Sequence, residues 1–265
     1  MARQIIKTLA VVLGISLGCS LMVTSTVLLL KERQTHNERV HKIGHLLELA
    51  EIGTADGEDP VQVYRTRIEP ILVDLEVGRP VESEIPDTLD PVAYDIPRLA
   101  SHPVHSVAIP RSLDLAGLRS RPRQMPVYLT RDDRGMGSLI LPIYGKGLWS
   151  TLYGYLALKS DLTTIAGIGF YEHGETPGLG GEVDNPRWKA QWRGKLAFDE
   201  RRGVAIRVIE GTSDPTSPEF PHRIDGLTGA TTTTRGVDRL VRYWLGPHGY
   251  GPFLDWLRSR EGAPL

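Results

Sequence analysis

"SLILPIYGKGLWSTLYGYLAL", residues Ser138 to Leu158, is the stretch that decides the fold. Two runs rich in branched and aromatic apolar residues, Ser138–Gly145 and Ser150–Leu158, flank a short segment that contains glycine. Short apolar runs of this composition, bounded by turn residues, are typical of β-strands. The stretch therefore predicts two successive strands joined by a turn.

Similar runs lie on both sides of this stretch. We predict further strands at Met125–Thr130, Thr163–His173 and Gly203–Gly211. Turn residues separate the runs, as expected for strands that follow one another along the chain.

Helical signals follow the strands. Asn185 and Pro186 combine an N-cap residue with proline at the first helical position. We also predict helices at Thr233–Leu245, whose apolar residues recur on one face, and at Phe253–Arg258. Strands followed by segregated helices indicate an α+β domain with a mainly antiparallel sheet and flanking helices, which we assign to residues 125–265.

The N-terminus has the composition of a membrane anchor. Thr8–Leu30 contains 23 residues and no charge. As a helix that rises about 1.5 Å per residue, it can cross a hydrocarbon core of about 30 Å. The run ends in "LLLKERQ" rather than in a small-residue cleavage site. We therefore predict a single uncleaved transmembrane helix, with residues 1–32 as the anchor.

The charges that flank this span nearly balance. Arg3 and Lys7 precede it, and Lys31 and Arg33 follow it. Long domains cross a membrane largely regardless of such charges. We expect a cytoplasmic N-terminus, with the large domain on the other side.

Residues 33–124 are predicted to combine a juxtamembrane helix with a proline-rich wrapping region. Lys31–Ile52 carries an apolar stripe at helical spacing, which the segment Thr54–Pro60 interrupts. Prolines recur from Arg79 to Arg123. We expect that stretch to wrap over the domain rather than to form its core.

The composition excludes several classes of function. The formal net charge is −1, so the chain lacks the basic surplus of a nucleic-acid-binding protein. A single cysteine, Cys19, rules out a disulfide within the chain, and we predict no metal ligands. The sequence contains neither a dinucleotide-binding glycine motif after a strand nor a charged residue within the span. We therefore predict no NADH site and no ion path in this chain.

"DGLTGATTTTRGV", Asp225 to Val237, holds five threonines just before a predicted helix. The helix is expected to begin near Thr232–Thr234, where a threonine can cap it, and Thr231 is expected to lie one step outside. A helix N-terminus attracts phosphate through its free N–H groups and its dipole. The residues alone leave two interpretations open, a capped turn and a phosphate site.

"DGLTGAT" resembles the motif Asp-x-x-(Ser/Thr)-Gly-Ala-Thr of the FMN-binding domains found in the sodium-pumping NADH:quinone reductase and its relatives. In that family the last threonine carries FMN through a phosphoester bond, which a flavin transferase installs from FAD. The resemblance implies covalent FMN on Thr231. The other motif positions are Asp225, Thr228, Gly229 and Ala230, with Thr232 beside them.

Two further blocks resemble the C subunit of that reductase, namely "GKGLWSTLYGYLAL" from Gly145 and "HGETPGLGGEVDNPRWKAQWRGK" from His173. The second begins with a glycine-rich loop that lacks the ending of a phosphate-binding Walker motif. We expect polar and apolar flavin contacts in these blocks, from Glu175, Thr176, Leu179, Leu148, Trp149 and Ser150. His173 is expected to form structural hydrogen bonds rather than to donate a proton.

The resemblance implies an electron-carrying subunit that is not catalytic alone. Its partners would be the other members of a complex of six subunits in a bacterial inner membrane, and the large domain would be periplasmic. The G subunit of the related ion-translocating ferredoxin:NAD⁺ reductase remains an alternative. From another class, a membrane-anchored sensor or adhesion module without flavin remains a second one.

Overall fold

The computed structural model describes residues 1–53, 57–81, 93–132 and 135–260. The α-helices are α1 (Ala2–Leu49), α2 (Pro60–Arg67), α3 (Ile96–Ala100), α4 (Pro186–Ala190), α5 (Thr231–Leu245) and α6 (Gly251–Ser259). The strands are β1 (Ile68–Asp74), β2 (Arg79–Pro80), β3 (Ser106–Ala108), β4 (Ser120–Pro122), β5 (Gln124–Asp132), β6 (Gly135–Lys146), β7 (Thr151–Lys159), β8 (Ile165–Glu172), β9 (Arg207–Val208) and β10 (Arg223–Ile224). Single 3₁₀ turns lie at Gly180–Asp184 and Phe220–His222.

A six-stranded sheet in the order β2-β1-β5-β6-β7-β8 forms the centre of the fold. Every pairing in it is antiparallel. The predicted α+β class is therefore confirmed, as are the four predicted strands that became β5 to β8. β6 and β7 pair along nearly their whole length, from Ser138 with Lys159 to Lys146 with Thr151.

Both faces of the sheet are buried, which explains why β6 reads as a continuous apolar run. Leu139, Leu141 and Ile143 belong to the larger core cluster, which includes α5 and α6. Ile140 points to the other face, where the last turns of α1 and helix α2 pack. The alternation follows from the two-residue period of a strand.

The predicted strand Gly203–Gly211 is wrong in extent. Only β9, Arg207–Val208, is regular, and it pairs in parallel with β10. The N–H groups of Ala205 and Ile206 both donate to the carbonyl of Ala197, so this part of the segment pairs with a loop. Because a loop does not offer a regular row of backbone hydrogen-bonding groups, the β-ladder between β9 and β10 does not extend into this part of the segment.

The described part of the segment Arg79–Arg123 contributes to the core as well as to the surface. Tyr94, Ile96 and Ala116 lie in the larger core cluster. Residues 82–92, which include Pro86 and Pro91, lie outside the described residues, as do 54–56 in the predicted break after α1. β1 and β2 also come from the region 33–124, and they join the main sheet.

The chain divides into two compact units, Met1–Val40 and His41–Leu265. Within the described residues, α1 is the helix that is long and apolar enough to cross a membrane. It continues without interruption past the predicted span to Leu49, as the juxtamembrane prediction requires.

Helix α5 lies tightly against the end of β6. A Cβ on Gly236 would come within 2.5 Å of the Lys146 carbonyl oxygen, and one on Gly145 within 2.5 Å of the Leu240 Cβ. Trp244 further along the helix donates from Nε1 to the carbonyl of Tyr144 at 2.7 Å. The two glycines therefore let the first turns of α5 approach the turn between β6 and β7.

Candidate functional site

The threonine run forms the first turn of α5, and its placement corrects our prediction. The helix begins at Thr231, with Ala230 as the N-cap residue and no side-chain cap. No threonine is the N-cap residue, because the helix begins earlier than predicted, at the first of the four consecutive threonines. Thr233 donates to Glu175 Oε2 at 2.5 Å, and Thr234 Oγ1 accepts from the N–H of Leu227 at 3.0 Å.

The threonines of this turn fall into two pairs. Thr233 and Thr234 are each only 1% exposed. Thr231 and Thr232 are exposed. Because Thr231 is the first residue of the helix, its hydroxyl lies beside N–H groups that no side chain caps.

The carboxylate of Glu175 joins the glycine-rich loop to two other elements. Oε1 accepts from the N–H groups of Leu148 at 3.1 Å, Trp149 at 2.9 Å and Ser150 at 3.3 Å. Oε2 accepts from the Thr233 hydroxyl and from the N–H of Leu148 at 3.2 Å. One side chain thus connects the β6–β7 turn with α5.

Glu175 is only 4% exposed, so its charge is costly unless it is hydrogen-bonded. Burial opposes ionisation. The hydrogen bonds from the Thr233 hydroxyl and from the N–H groups of the turn favour it, and they hold the pKa of Glu175 below its ordinary value of 4.5. The carboxylate is therefore ionised at neutral pH.

Three large apolar side chains near this network are exposed to solvent. Leu148 is 52%, Trp149 72% and Leu179 45% exposed. Gly229, in the threonine segment, has φ +72°, and a Cβ on it would lie 3.2 Å from Leu179 Cδ2. Leu179 therefore borders the turn that leads into Thr231.

Ser150, Thr176 and His173 fasten the glycine-rich loop. Ser150 Oγ accepts from the N–H of Gly174 at 2.6 Å, and the carbonyl of Thr176 accepts from Gly181 at 2.9 Å. His173 Nδ1 accepts from the N–H of Glu175 at 3.2 Å, so Nε2 carries the proton and donates to Asp184 at 2.8 Å. These are structural hydrogen bonds, as predicted for His173.

Asp225 makes its contacts with a different part of the chain. Its Oδ1 accepts from the N–H of Ser213 at 2.7 Å and from the Ser213 hydroxyl at 2.6 Å. Its backbone accepts from Trp188 Nε1 and donates to Gln191 Oε1. The start of the motif is thus fastened to α4 and to the loop at Ser213, whereas Thr228, Gly229 and Thr231 are exposed.

Sequence reasoning missed the distinct roles of Thr233, Thr234, Ser213 and Gly236. Only Gly236 carried a usable signal, because a glycine within an amphipathic helix often marks close packing. The others are polar residues whose partners are distant in sequence. Glu175, for example, lies 58 residues before Thr233.

Comparisons with known proteins agree with this arrangement. The model of the FMN-binding domain family matches residues 147–246, which contain both the β6–β7 turn and α5. The C subunit of the Na(+)-translocating NADH-quinone reductase from Pseudomonas aeruginosa is 44% identical over 257 residues, which cover 96% of this chain and 97% of that protein. Its counterpart from Yersinia pestis is 40% identical over 260 residues, covering 97% and 94%.

A solved structure is similar as well. The crystal structure of Shewanella oneidensis NqrC superposes with a TM-score of 0.76 at 32% identity, and the match covers 84% of this chain and 99% of that one. Sequence identity of 40–44% over nearly the full length of both chains shows family membership and not only a shared fold. The chain belongs to the NqrC family, the C subunit of the Na(+)-translocating NADH-quinone reductase, and it carries that family's FMN-binding domain.

Proposed function

We propose that this subunit relays electrons through an FMN attached to Thr231 by a phosphoester bond. The observation that carries the proposal is the exposure of Thr231 at the uncapped start of α5, directly after the turn at Gly229 that Leu179 of the glycine-rich loop borders. Of the four threonines in the first turn, it is also the one at the motif position that carries FMN in the family that the chain resembles.

The start of α5 suits a phosphate. Among the described residues, no side chain hydrogen-bonds to the N–H groups of Thr231, Thr232 or Thr233. Such groups, together with the helix dipole, stabilise a negative charge by about 0.3–1 kcal/mol. The residues present therefore fit a phosphoester at Thr231.

The surroundings also suit a flat aromatic ring. Leu148, Trp149 and Leu179 offer apolar surface that is now exposed to water, and burying such surface against a ligand is favourable. Leu148, Trp149 and Ser150 are held by Glu175, and Leu179 and Thr176 belong to the loop that carries this carboxylate. Bound FMN supplies the electron-transfer chemistry, and the chain positions it.

Attachment requires a flavin transferase that uses FAD. The Thr231 oxygen forms a bond to the phosphorus of the FMN half, and the P–O–P bond of FAD breaks. AMP leaves with the bonding electrons, and the hydroxyl proton passes to the transferase or to solvent. No oxidant or reductant is needed.

Peptide mapping by mass spectrometry tests the attachment. The full chain is co-expressed with a flavin transferase, and we expect FMN on the peptide that contains Thr231. Thr231→Ala should abolish the yellow colour and the fluorescent band on a denaturing gel. Thr216→Ala, which removes an exposed hydroxyl that bonds only to Asp214, is the matched control. An unmodified wild-type chain would refute the proposal.

Asp225 is proposed to be needed during attachment, by binding the transferase or a divalent metal. Asp225→Ala should then prevent flavinylation while the fold persists. Ser213→Ala separates this role from a structural one, because it removes one of the two hydrogen bonds to the same carboxylate oxygen. Normal FMN incorporation in Ser213→Ala, with none in Asp225→Ala, supports the proposal. Equal losses of FMN in the two variants would contradict it, because they would show that the Asp225 carboxylate acts by holding the loop at Ser213.

We further propose that α1 anchors residues 1–32 in a bacterial inner membrane, with the FMN-binding domain of residues 125–265 in the periplasm. Residues 33–124 would connect the anchor to this domain, and they also supply β1 and β2 to its sheet. The proposed partners are the other members of a complex of six subunits that oxidises NADH, reduces quinone and moves Na⁺ outward. Protease added to intact spheroplasts should digest the large domain, and protection of that domain would overturn the orientation.

Family membership excludes the alternative from the ferredoxin:NAD⁺ reductase, since the relatives at 40–44% identity are NqrC proteins. The same findings exclude the flavin-free sensor or adhesion module, because the chain belongs to a reductase subunit family and carries an FMN-binding domain. Colour tests the covalent bond, because only a flavoprotein with covalent flavin is yellow after purification under denaturing conditions.

A further inference from the structure

The carboxylate of Glu175 is buried without a cation. Within the described ranges it forms no ion pair, and all its donors are neutral backbone N–H groups and one hydroxyl. A buried charge of this kind costs free energy that a neutral apolar residue would not. The presence of this carboxylate therefore indicates that its hydrogen bonds are needed to hold the β6–β7 turn and α5 in a defined arrangement.

The surrounding backbone leaves room for this carboxylate. A Cβ on Gly147 would lie 2.6 Å from Glu175 Oε1, and a Cβ on Gly180 would lie 2.8 Å from Oε2. The same Gly180 Cβ would come within 2.6 Å of Thr233 Oγ1. Gly180 thus borders the hydrogen bond between Glu175 and Thr233, Gly147 borders the other carboxylate oxygen, and a larger residue at either position would displace the carboxylate.

The hydrogen bond holds the Thr233 side chain, in the first turn of α5, toward Glu175. Successive helical residues are about 100° apart around the axis. With Thr233 directed at Glu175, Thr231 lies about 200° away and faces outward. Thr234 lies about 100° from Thr233, on the side where its hydroxyl accepts from the N–H of Leu227. Of the four hydroxyls, those of Thr233 and Thr234 are occupied and those of Thr231 and Thr232 are exposed.

We propose that Glu175 is a positioning residue that, by binding Thr233, selects Thr231 as the hydroxyl that receives FMN. The inference rests on the proposed attachment of FMN to Thr231, and it adds a selection rule within the threonine run. Glu175 also holds the N–H groups of Leu148 to Ser150. The positions of Leu148 and Trp149 relative to Thr231 are therefore fixed by the same side chain.

Variants at Glu175 and Thr233 distinguish the effect of the hydrogen bonds from the effect of the negative charge on Glu175. In Glu175→Gln the amide oxygen can accept from the turn, and the amide nitrogen can donate to Thr233 Oγ1, so the geometry persists without the charge. Glu175→Ala leaves the buried N–H groups and the hydroxyl unpaired. Thr233→Val removes only the hydroxyl at nearly constant volume, whereas Thr233→Ser keeps it.

Asp161 provides a matched control at the turn after β7. Its carboxylate accepts from the N–H groups of Thr163 and Thr164 and from the Thr164 hydroxyl at 2.5 Å. Asp161→Ala thus deletes the same kind of network, but not at the threonine run.

The test uses the full chain in detergent, co-expressed with the transferase, and maps FMN by peptide mass spectrometry. Wild type, Glu175→Gln, Thr233→Ser and Asp161→Ala should carry FMN on Thr231 alone. Glu175→Ala and Thr233→Val should show a several-fold loss at Thr231, with part of the label on Thr232. Exclusive and complete labelling of Thr231 in both of these variants would overturn the proposal. A loss in Glu175→Gln equal to that in Glu175→Ala would also overturn it, because charge rather than position would then matter.

Hydrogen exchange on the unmodified chain separates this proposal from the attachment itself. Glu175→Ala should speed exchange at Leu148–Ser150 and in the first turn of α5, and Glu175→Gln should not. If the wild-type chain carries no FMN, the proposed function fails, and the exchange data still decide whether Glu175 holds the two elements together. Unchanged exchange in Glu175→Ala would refute the positioning role.

Discussion

The close approach of α5 to β6 makes Gly236 a position where a single methyl group should be costly. A Cβ there would lie 2.5 Å from the Lys146 carbonyl oxygen and 3.1 Å from Gly147 Cα. Both are backbone atoms beside the central β6–β7 turn, so they cannot rotate away as a flexible side chain would. In Gly236→Ala the helix itself must move outward.

The expected size of the effect has two parts. Overpacking a tight contact costs about 1–3 kcal/mol. Alanine is better than glycine within a helix by about 1 kcal/mol, which offsets part of that cost. The net expectation is a destabilisation of about 0–2 kcal/mol. Gly44 in α1 supplies the control, because it is exposed and a Cβ on it would have no neighbour within 4 Å.

Gly44→Ala should therefore stabilise the chain by up to about 1 kcal/mol. The difference between the two alanine variants then isolates the packing cost, about 1–3 kcal/mol. Urea unfolding of the full chain in detergent, followed by tryptophan fluorescence, measures it, provided that the slope with denaturant is unchanged. The shift of α5 should also draw Thr233 away from Glu175 and lower FMN incorporation in Gly236→Ala alone. Equal unfolding free energies in the two variants would refute the reasoning.

Three further contacts each lead to a measurable expectation. Glu175 has a lowered pKa, so its ionised form stabilises the fold above pH 4.5, and this contribution is lost as the pH falls through the lower value in the folded state. The gap in unfolding free energy between wild type and Glu175→Gln should thus shrink below about pH 4.5, and a constant gap would contradict it. Asn185 caps α4 through the N–H of Arg187 at 2.9 Å, so Asn185→Ala should cost about 0.5–2 kcal/mol in thermal unfolding, and Asn185→Ser should recover most of that. Trp149 is 72% exposed, so Trp149→Ala should change stability by less than about 0.5 kcal/mol while altering the visible circular dichroism of bound FMN; an unchanged spectrum would place the ring elsewhere.

Local patterns were sufficient for most of the fold. The runs around Ser138–Leu158 predicted strands because a strand buried on both faces must be apolar along its length, and β6 is such a strand. The periodic apolar face of Thr233–Leu245 predicted α5, since its residues pack on one side. The strand at Gly203–Gly211 was overextended because a propensity for extended structure does not supply a partner strand.

The threonine run shows where sequence reasoning ends. From composition alone its hydroxyls were equivalent, and a threonine cap was expected at the start of α5. In the structure Thr233 and Thr234 turn inward to Glu175 and Leu227, and Ala230 takes the cap position. The predicted cap is absent because the helix begins at Thr231, which places Thr233 inside its first turn, where its hydroxyl donates to the buried carboxylate of Glu175.

The sequence by itself determined the long apolar helix at the N-terminus, the strands β5 to β8, helix α5 and the family, because each depends on neighbours along the chain. Only the tertiary structure decided which hydroxyls are exposed and which are bound. Glu175 and Thr233 are 58 residues apart, and their contact exists only because β6 and α5 pack together through Gly145 and Gly236. In the same packing arrangement, Thr231 is left exposed at the start of the helix.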